Sequence, residues 1–303
     1  TFSKFVIKLL FKFYYTYCIR YYITSNFYFM KTRKEYDSIG GIDVPVDKYW
    51  GASTQRSNKY FDIGEILVES TVIKSIAIIK KAIAKVNFKS GTLDRKISSA
   101  IIKASNEIIS GKLIDNFPLK VWQTGSGTQT NMNINEVIAN RSNELFGEKL
   151  GKYSPIHPND HCNMSQSSND SFPTVIHLTV IDITNKKLIP CLKKFIKVLE
   201  KKKKEFHNII KIGRTHYQDA TPLTLGNEFG AFESQITNSL VRIEKAQEEL
   251  LYLAQGGTAV GTGLNSSKDF TNGFLKALEK MTGIKFKKSK NYFESLSSHE
   301  SIL

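Results

Sequence analysis

Residues 229–253 read FGAFESQITNSLVRIEKAQEELLYL. Phe229, Phe232, Ile236, Leu240, Ile243, Leu250 and Leu253 recur at helical spacing, which places them on one stripe of a long amphipathic helix. An upstream stripe has the same character: Ile176, Val180 and Ile183 lead through an expected kink at Pro190 to Leu192, Phe195 and Leu199. Stripes this long and this apolar belong to a helical bundle core, here expected to be completed by partner subunits.

Working outward, Phe270, Phe274, Leu278 and Met281 form a third stripe. On the N-terminal side, Val72, Ile76, Ile79, Ile83 and Val86 predict one helix. Ile97, Ile101, Ala104 and Ile108 predict a second, stopped by Gly111, and a third runs from Asn131 to Leu145 with Gly147 as its end. From Met30 to Gly64 the sequence is polar and broken by Gly40-Gly41 and Pro45, so it reads as loop. Alternating strand patterns are few. The expected fold class is therefore mainly α, with an N-terminal helical domain over residues 31–165 and part of a long central helical bundle over residues 166–303.

The chain has 303 residues, 41% hydrophobic and 23% charged, a composition of soluble globular proteins. Its net charge of +15 suggests an acidic partner such as nucleic acid, a membrane surface or a small polyanion. The lysines are scattered, and the tight run Lys201 to Lys204 closes a helical pattern, where cations suit the helix dipole. No RNA-binding signature or zinc-finger spacing occurs, so nucleic acid and membrane are not expected partners. Cys18, Cys162 and Cys191 form no CxxC pair, which fits a reduced, cytosol-like compartment and argues against an iron-sulfur site.

Residues 1–30 are rich in Phe, Tyr, Ile and Leu, are interrupted by Lys4, Lys8, Lys12 and Arg20, and contain no acid. The basic residues break any bilayer-length run and no small-residue cleavage site follows. The segment reads as sequence lying upstream of a start at Met30, with a mitochondrial presequence as the alternative. A cytoplasmic protein is expected on the first reading.

Four polar segments interrupt the helical pattern. In Thr124-Gly125-Ser126-Gly127-Thr128-Gln129-Thr130-Asn131, glycines, hydroxyls and free N–H groups before a helix make an anion cradle; an ordinary N-cap by Thr128 or Thr130 is the plainer account. His157-Pro158-Asn159-Asp160-His161 has the i, i+4 histidines of a zinc helix. Pro158 and the Asn-Asp pair specify a turn instead, and the HExxH glutamate is missing, so no metal is expected. Ser165-Gln166-Ser167-Ser168-Asn169-Asp170 carries more donors than one helix cap requires. Gly213-Arg214-Thr215-His216-Tyr217-Gln218-Asp219-Ala220-Thr221-Pro222 sets one histidine beside a hydroxyl in a loop between two long helices, a position that favours function.

From about Lys31 to Leu303 the chain resembles the fumarase/aspartase superfamily. The resemblance is carried by these four segments, by Asp43-Val-Pro-Val-Asp-Lys-Tyr-Trp-Gly51 and by Gly261-Thr-Gly-Leu-Asn265. Ser126-Gly-Thr-Gln129, His157 before Pro-Asn-Asp, Ser167-Ser168-Asn169 and His216 after Gly-Arg-Thr look like class II fumarase. Aspartate ammonia-lyase carries a glutamine at the place of His216.

The resemblance implies reversible hydration of fumarate to L-malate without metal or cofactor. The C3–H of malate is a very weak acid, and its removal requires fixed donors that stabilise the adjacent carboxylate as an aci dianion. It also implies that Ser126, Gly127, Thr128, Asn131, Ser167, Ser168, Asn169 and Thr215 bind substrate. His216 would exchange a proton on the hydroxyl side, and His157, Pro158, Asn159 and Asp160 would form an outer dicarboxylate position. Ser154 stands where relatives are often basic. Further along, the family carries a Gly-Ser-Ser-x-Met-Pro-x-Lys-x-Asn-Pro loop whose serine takes the C3 proton. The sequence ends at Leu303 before such a loop, so this chain alone is expected to be inactive. The family assembles as homotetramers whose sites draw on three subunits. An ammonia-lyase relative, disfavoured by His216, and a non-catalytic remnant are the rival expectations.

Overall fold

The computed structural model describes residues 31–302; the reading of residues 1–30 lies outside them. A hairpin of β1 (Thr32–Asp37) and β2 (Gly40–Pro45) is followed by helices α1 (Ala52–Tyr60), α2 (Ser70–Lys89), α3 (Arg95–Ile109), α4 (Thr128–Glu144), α5 (Ser168–Ile183) and α6 (Ile189–Glu205). A second hairpin, β3 (Ile210–Thr215) and β4 (Gln218–Thr224), leads into α7 (Leu225–Leu250). Short strands β5 (Tyr252–Leu253) and β6 (Lys287–Lys288) pair in parallel around α8 (Phe270–Thr282), and α9 (Tyr292–Ser297) follows. The architecture is mainly α, as the stripes predict.

Helix α2 is the axis of the core. Its Ile73, Ile76, Ala77, Ile79 and Ile83 pack with Ile101, Ala104 and Ile108 of α3, Ile134, Val137 and Ile138 of α4, Val175, Leu178 and Ile181 of α5, and Phe270, Phe274 and Leu278 of α8. Each of these larger side chains contributes roughly 1.5–3 kcal/mol by leaving water. Residues from both sides of position 165 share this one cluster.

Helices α6 and α7 pack on each other, but their outer faces meet little else. On α6 only Leu199 is buried. Phe195 and Val198 of α6 and Phe232 and Val241 of α7 stay exposed.

Four details depart from the sequence reading. Residues 32–45 form a hairpin, not a loop, because Asp37 Oδ1 accepts from the N–H groups of Ile39 (2.9 Å) and Gly40 (3.1 Å) and turns the chain. Helix α1 forms without an apolar stripe. Buried carboxylates cap its N-terminus instead: Glu136 accepts from the N–H groups of Gly51, Ser53 and Thr54, and Glu35 from that of Ala52, which satisfies the orphan donors of the first turn. The expected kink at Pro190 becomes a π-helical turn at Thr184–Leu188, just before α6. Pro190 then sits in the first turn of α6, where its missing N–H costs nothing. The last residue of the quoted stripe, Leu253, lies in β5 rather than in the helix.

Candidate active site

The first polar segment turns into α4 through Gly127, whose φ of 70° is left-handed. Thr124 donates from its N–H (2.8 Å) and its hydroxyl (2.9 Å) to Gln129 Oε1, which closes the loop on itself. Ser126 and Thr128 hydroxyls lie 3.2 Å apart on the exposed rim. Gly127 and Asn131 are buried behind them.

The third segment opens α5. Ser167 caps that helix: its hydroxyl accepts from Asn169 N–H at 3.2 Å, and Asp170 Oδ1 accepts from Ser167 N–H at 2.9 Å. The capping account therefore holds for Ser167, whereas Ser168 faces the first segment. Asn131 Nδ2 donates to Ser168 Oγ at 3.3 Å. Asp170 is fully buried, and its other oxygen accepts from Gly256 and Thr258 N–H, both at 2.9 Å. Burial raises its pKa against the pull of these backbone donors. Asn169 donates from Nδ2 to Ala259 O at 2.8 Å, so α5 is stitched to the turn that precedes Gly261.

The second segment is a π-helical turn, Pro158–Cys162, not a zinc helix. His157 N–H donates to His161 Nδ1 at 2.9 Å. His157 Nδ1 accepts from Asn159 and Asp160 N–H, which makes it a lone-pair acceptor, so the 3.3 Å approach of Asp160 Oδ2 is not an ion pair in this tautomer. Burial lowers the pKa of His161, with Asp160 acting against it. His157, Pro158 and Asn159 line a cavity of about 680 Å³ with Arg56, Gln129 and Tyr153. Ser126, Asn131, Ser168 and Asn169 do not line it. Asn163, just past the turn, ties this segment to the others by accepting from Asn131 Nδ2 at 3.1 Å.

Three of the four segments thus converge where α4 and α5 begin, and helix N-termini favour a bound anion. The fourth does not join them. Thr215 and His216 are exposed at the tip of the β3–β4 hairpin, with His216 at φ 48° and Tyr217 at φ 63°. The expected loop is a two-residue turn in a hairpin, and left-handed residues in succession give it the twist of the flanking strands.

Beneath the converging segments lies a residue the motifs do not reveal. Lys80 of α2 is 1% exposed and donates to Asn163 Oδ1 at 3.0 Å and Gln166 Oε1 at 2.9 Å. Burial pushes its pKa down to about 7, with Cys162 and Asp170 opposing. The available signal was an ammonium inside the apolar stripe, one turn from both Ile76 and Ile83.

The mainly helical framework thus brings three polar segments together at helix N-termini, an arrangement whose free N–H groups favour anions. A protein family described as lyase matches residues 40–303, and the chain belongs to that family. It is 52% identical over 272 residues to fumarate hydratase class II 2 of Bradyrhizobium diazoefficiens, covering 90% of this chain and 58% of that protein. It is 50% identical over 287 residues to the mitochondrial fumarate hydratase of Rhizopus oryzae, covering 94% and 58%. The crystal structure of recombinant class II fumarase from Schistosoma mansoni superposes with a TM-score of 0.87 at 41% identity, over 90% of this chain and 60% of that one. The chain spans about three-fifths of the length of these relatives.

Proposed function

We propose that the protein carrying this chain is a fumarate hydratase that interconverts fumarate and L-malate, the hydration step of the citric acid cycle. The observation that carries the reading is the bond from Asn131 to Ser168, which draws two donor-rich segments together at the starts of α4 and α5. Ser126, Gly127, Thr128, Asn131, Ser167, Ser168 and Asn169 then hold the dicarboxylate, with Ser167 acting through its cap. Hydroxyls, amides and backbone N–H groups suit that task because they stabilise developing negative charge without a bound counter-ion. His157, Pro158, Asn159 and Asp160 serve an outer dicarboxylate position beside the 680 Å³ cavity.

Thr215 and His216 act on the hydroxyl side of the substrate, with the imidazole exchanging the proton of the water added or lost. Their exposed hairpin tip suits a residue delivered to a neighbouring subunit's site, and the uncovered faces of α6 and α7 suit a homotetrameric bundle. The division at residue 165 separates the N-terminal lyase domain from that bundle. No helix among the described residues is long and apolar enough to cross a membrane; a cytoplasmic location is proposed, with a mitochondrial one as the alternative.

The test is a fumarate absorbance assay on the full-length protein. Loss of fumarate with matching formation of L-malate is expected. Release of ammonia from aspartate, with no hydration of fumarate, would overturn the reading.

A further inference from the structure

Lys80 is buried among the isoleucines of α2, yet both of its described acceptors are amide oxygens and not carboxylates. Burying an ammonium is costly unless its protons are taken up. What this one obtains in return is direction. In its ammonium form Lys80 has donors only, so Asn163 turns its oxygen toward it.

That same Asn163 Oδ1 also accepts from Asn131 Nδ2 at 3.1 Å and from Asn135 Nδ2 at 3.4 Å. Both neighbours are thereby obliged to present their NH2 groups. Asn131 Oδ1 and Asn135 Oδ1 are left buried without a partner among the described residues. Neither amide flips to relieve this, because a flip would set oxygen against oxygen. Asn131 Nδ2 donates onward to Ser168 Oγ at 3.3 Å, and a hydroxyl that accepts there keeps its own proton free for another acceptor.

We propose that Lys80 is a positioning residue of the site: through Asn163 and Asn131 it fixes Ser168 as a hydrogen-bond donor to a bound carboxylate. This rests on the dicarboxylate reading of the site. Asp170, whose negative charge favours the ammonium form of Lys80, supports the arrangement from α5.

The experiment is a double-mutant cycle on the full-length protein, with KM for L-malate as the readout. Lys80→Met and Ser168→Ala should each raise KM about tenfold, and the double variant should stay near about tenfold, because both remove the same interaction. A merely structural lysine would lower stability and give an additive rise of about a hundredfold, which would overturn the proposal. If Lys80→Met does not fold, Asn163→Asp and Asn163→Leu decide the matter. The carboxylate still accepts from both sides and should keep KM within about twofold, whereas leucine should raise it about tenfold. Equal effects of the two would sink the idea. A parent without fumarate turnover would refute the dicarboxylate reading, and the proposal is then judged on exchange of the Asn131 side-chain amide protons. Exchange at least about tenfold faster in Asn163→Leu is expected; unchanged exchange would overturn it.

Discussion

A Cβ added to Gly127 would stand 2.2 Å from Cγ of Phe172. Gly127 therefore packs directly against the Phe172 ring of α5, and its left-handed turn at φ 70° adds a second demand for glycine. Gly127→Ala should destabilise the protein by about 1–3 kcal/mol through overpacking and strain and weaken dicarboxylate binding with it. Urea midpoints would check this. Phe172→Ala in the same chain should recover the packing part of the loss but not the backbone part.

Asp170 joins the start of α5 to the Gly256–Thr258 turn by accepting from three backbone N–H groups. Asparagine keeps the shape but offers one oxygen and a clashing NH2. Asp170→Asn should cost about 3 kcal/mol and release Asn169 from Ala259 O. A stability loss under about 1 kcal/mol in denaturant titration would mean the clamp is not needed.

Glu107 receives a two-pronged bond from Arg141, 2.7 Å to Oε2 and 2.9 Å to Oε1, linking α3 to α4. Arg141 holds its carboxyl below the usual range, against desolvation. For a depressed acid, the stabilisation is fully present above the unfolded-state pKa of about 4.3 and disappears as pH falls through the folded value. Glu107→Gln should therefore cost about 1 kcal/mol at pH 7 and approach nothing near pH 2. Denaturation curves of both proteins at the two pH values would show whether the gap closes.

How much of this was legible in the sequence follows from which force builds each element. The stripes of α2, α3 and α8 announced themselves because apolar burial at helical spacing holds them. Helix α1, ASTQRSNKY, has no such stripe. Glu35 and Glu136 hold it from elsewhere in the chain, a long-range cause that no local window contains. The β1–β2 hairpin was hidden because Gly40-Gly41 reads equally as a breaker and as a turn. At the site, Asn131 and Ser168 were named from their segments, and the structure brings them within hydrogen-bonding distance. Lys80 and Asn163 were not named, since their role exists only once α2 and the π-helical turn are packed together.

The exposed Phe195, Val198, Phe232 and Val241 on α6 and α7 form apolar surface of the kind that drives association. The 303-residue chain should elute from a sizing column as concentration-dependent oligomers. Phe195→Ser with Val198→Ser should shift it toward monomer without changing its helical content. A sharp monomer at every concentration of the unaltered chain would contradict the bundle reading.

His216 allows function and fold to be separated. Its side chain is exposed and its φ of 48° is left-handed, a conformation that asparagine adopts more readily than most residues. His216→Asn should therefore preserve the hairpin, the denaturation midpoint and the assembly. An amide keeps hydrogen-bonding capacity but cannot exchange a proton near neutral pH. In the full-length protein, turnover of L-malate should fall by roughly two orders of magnitude, while inhibition by a non-reacting dicarboxylate changes only a few-fold. A structural histidine would give the reverse pattern, with lost stability preceding lost rate. Near-normal turnover in a folded His216→Asn protein would remove His216 from the mechanism and leave the donors at the starts of α4 and α5 as the groups this chain contributes.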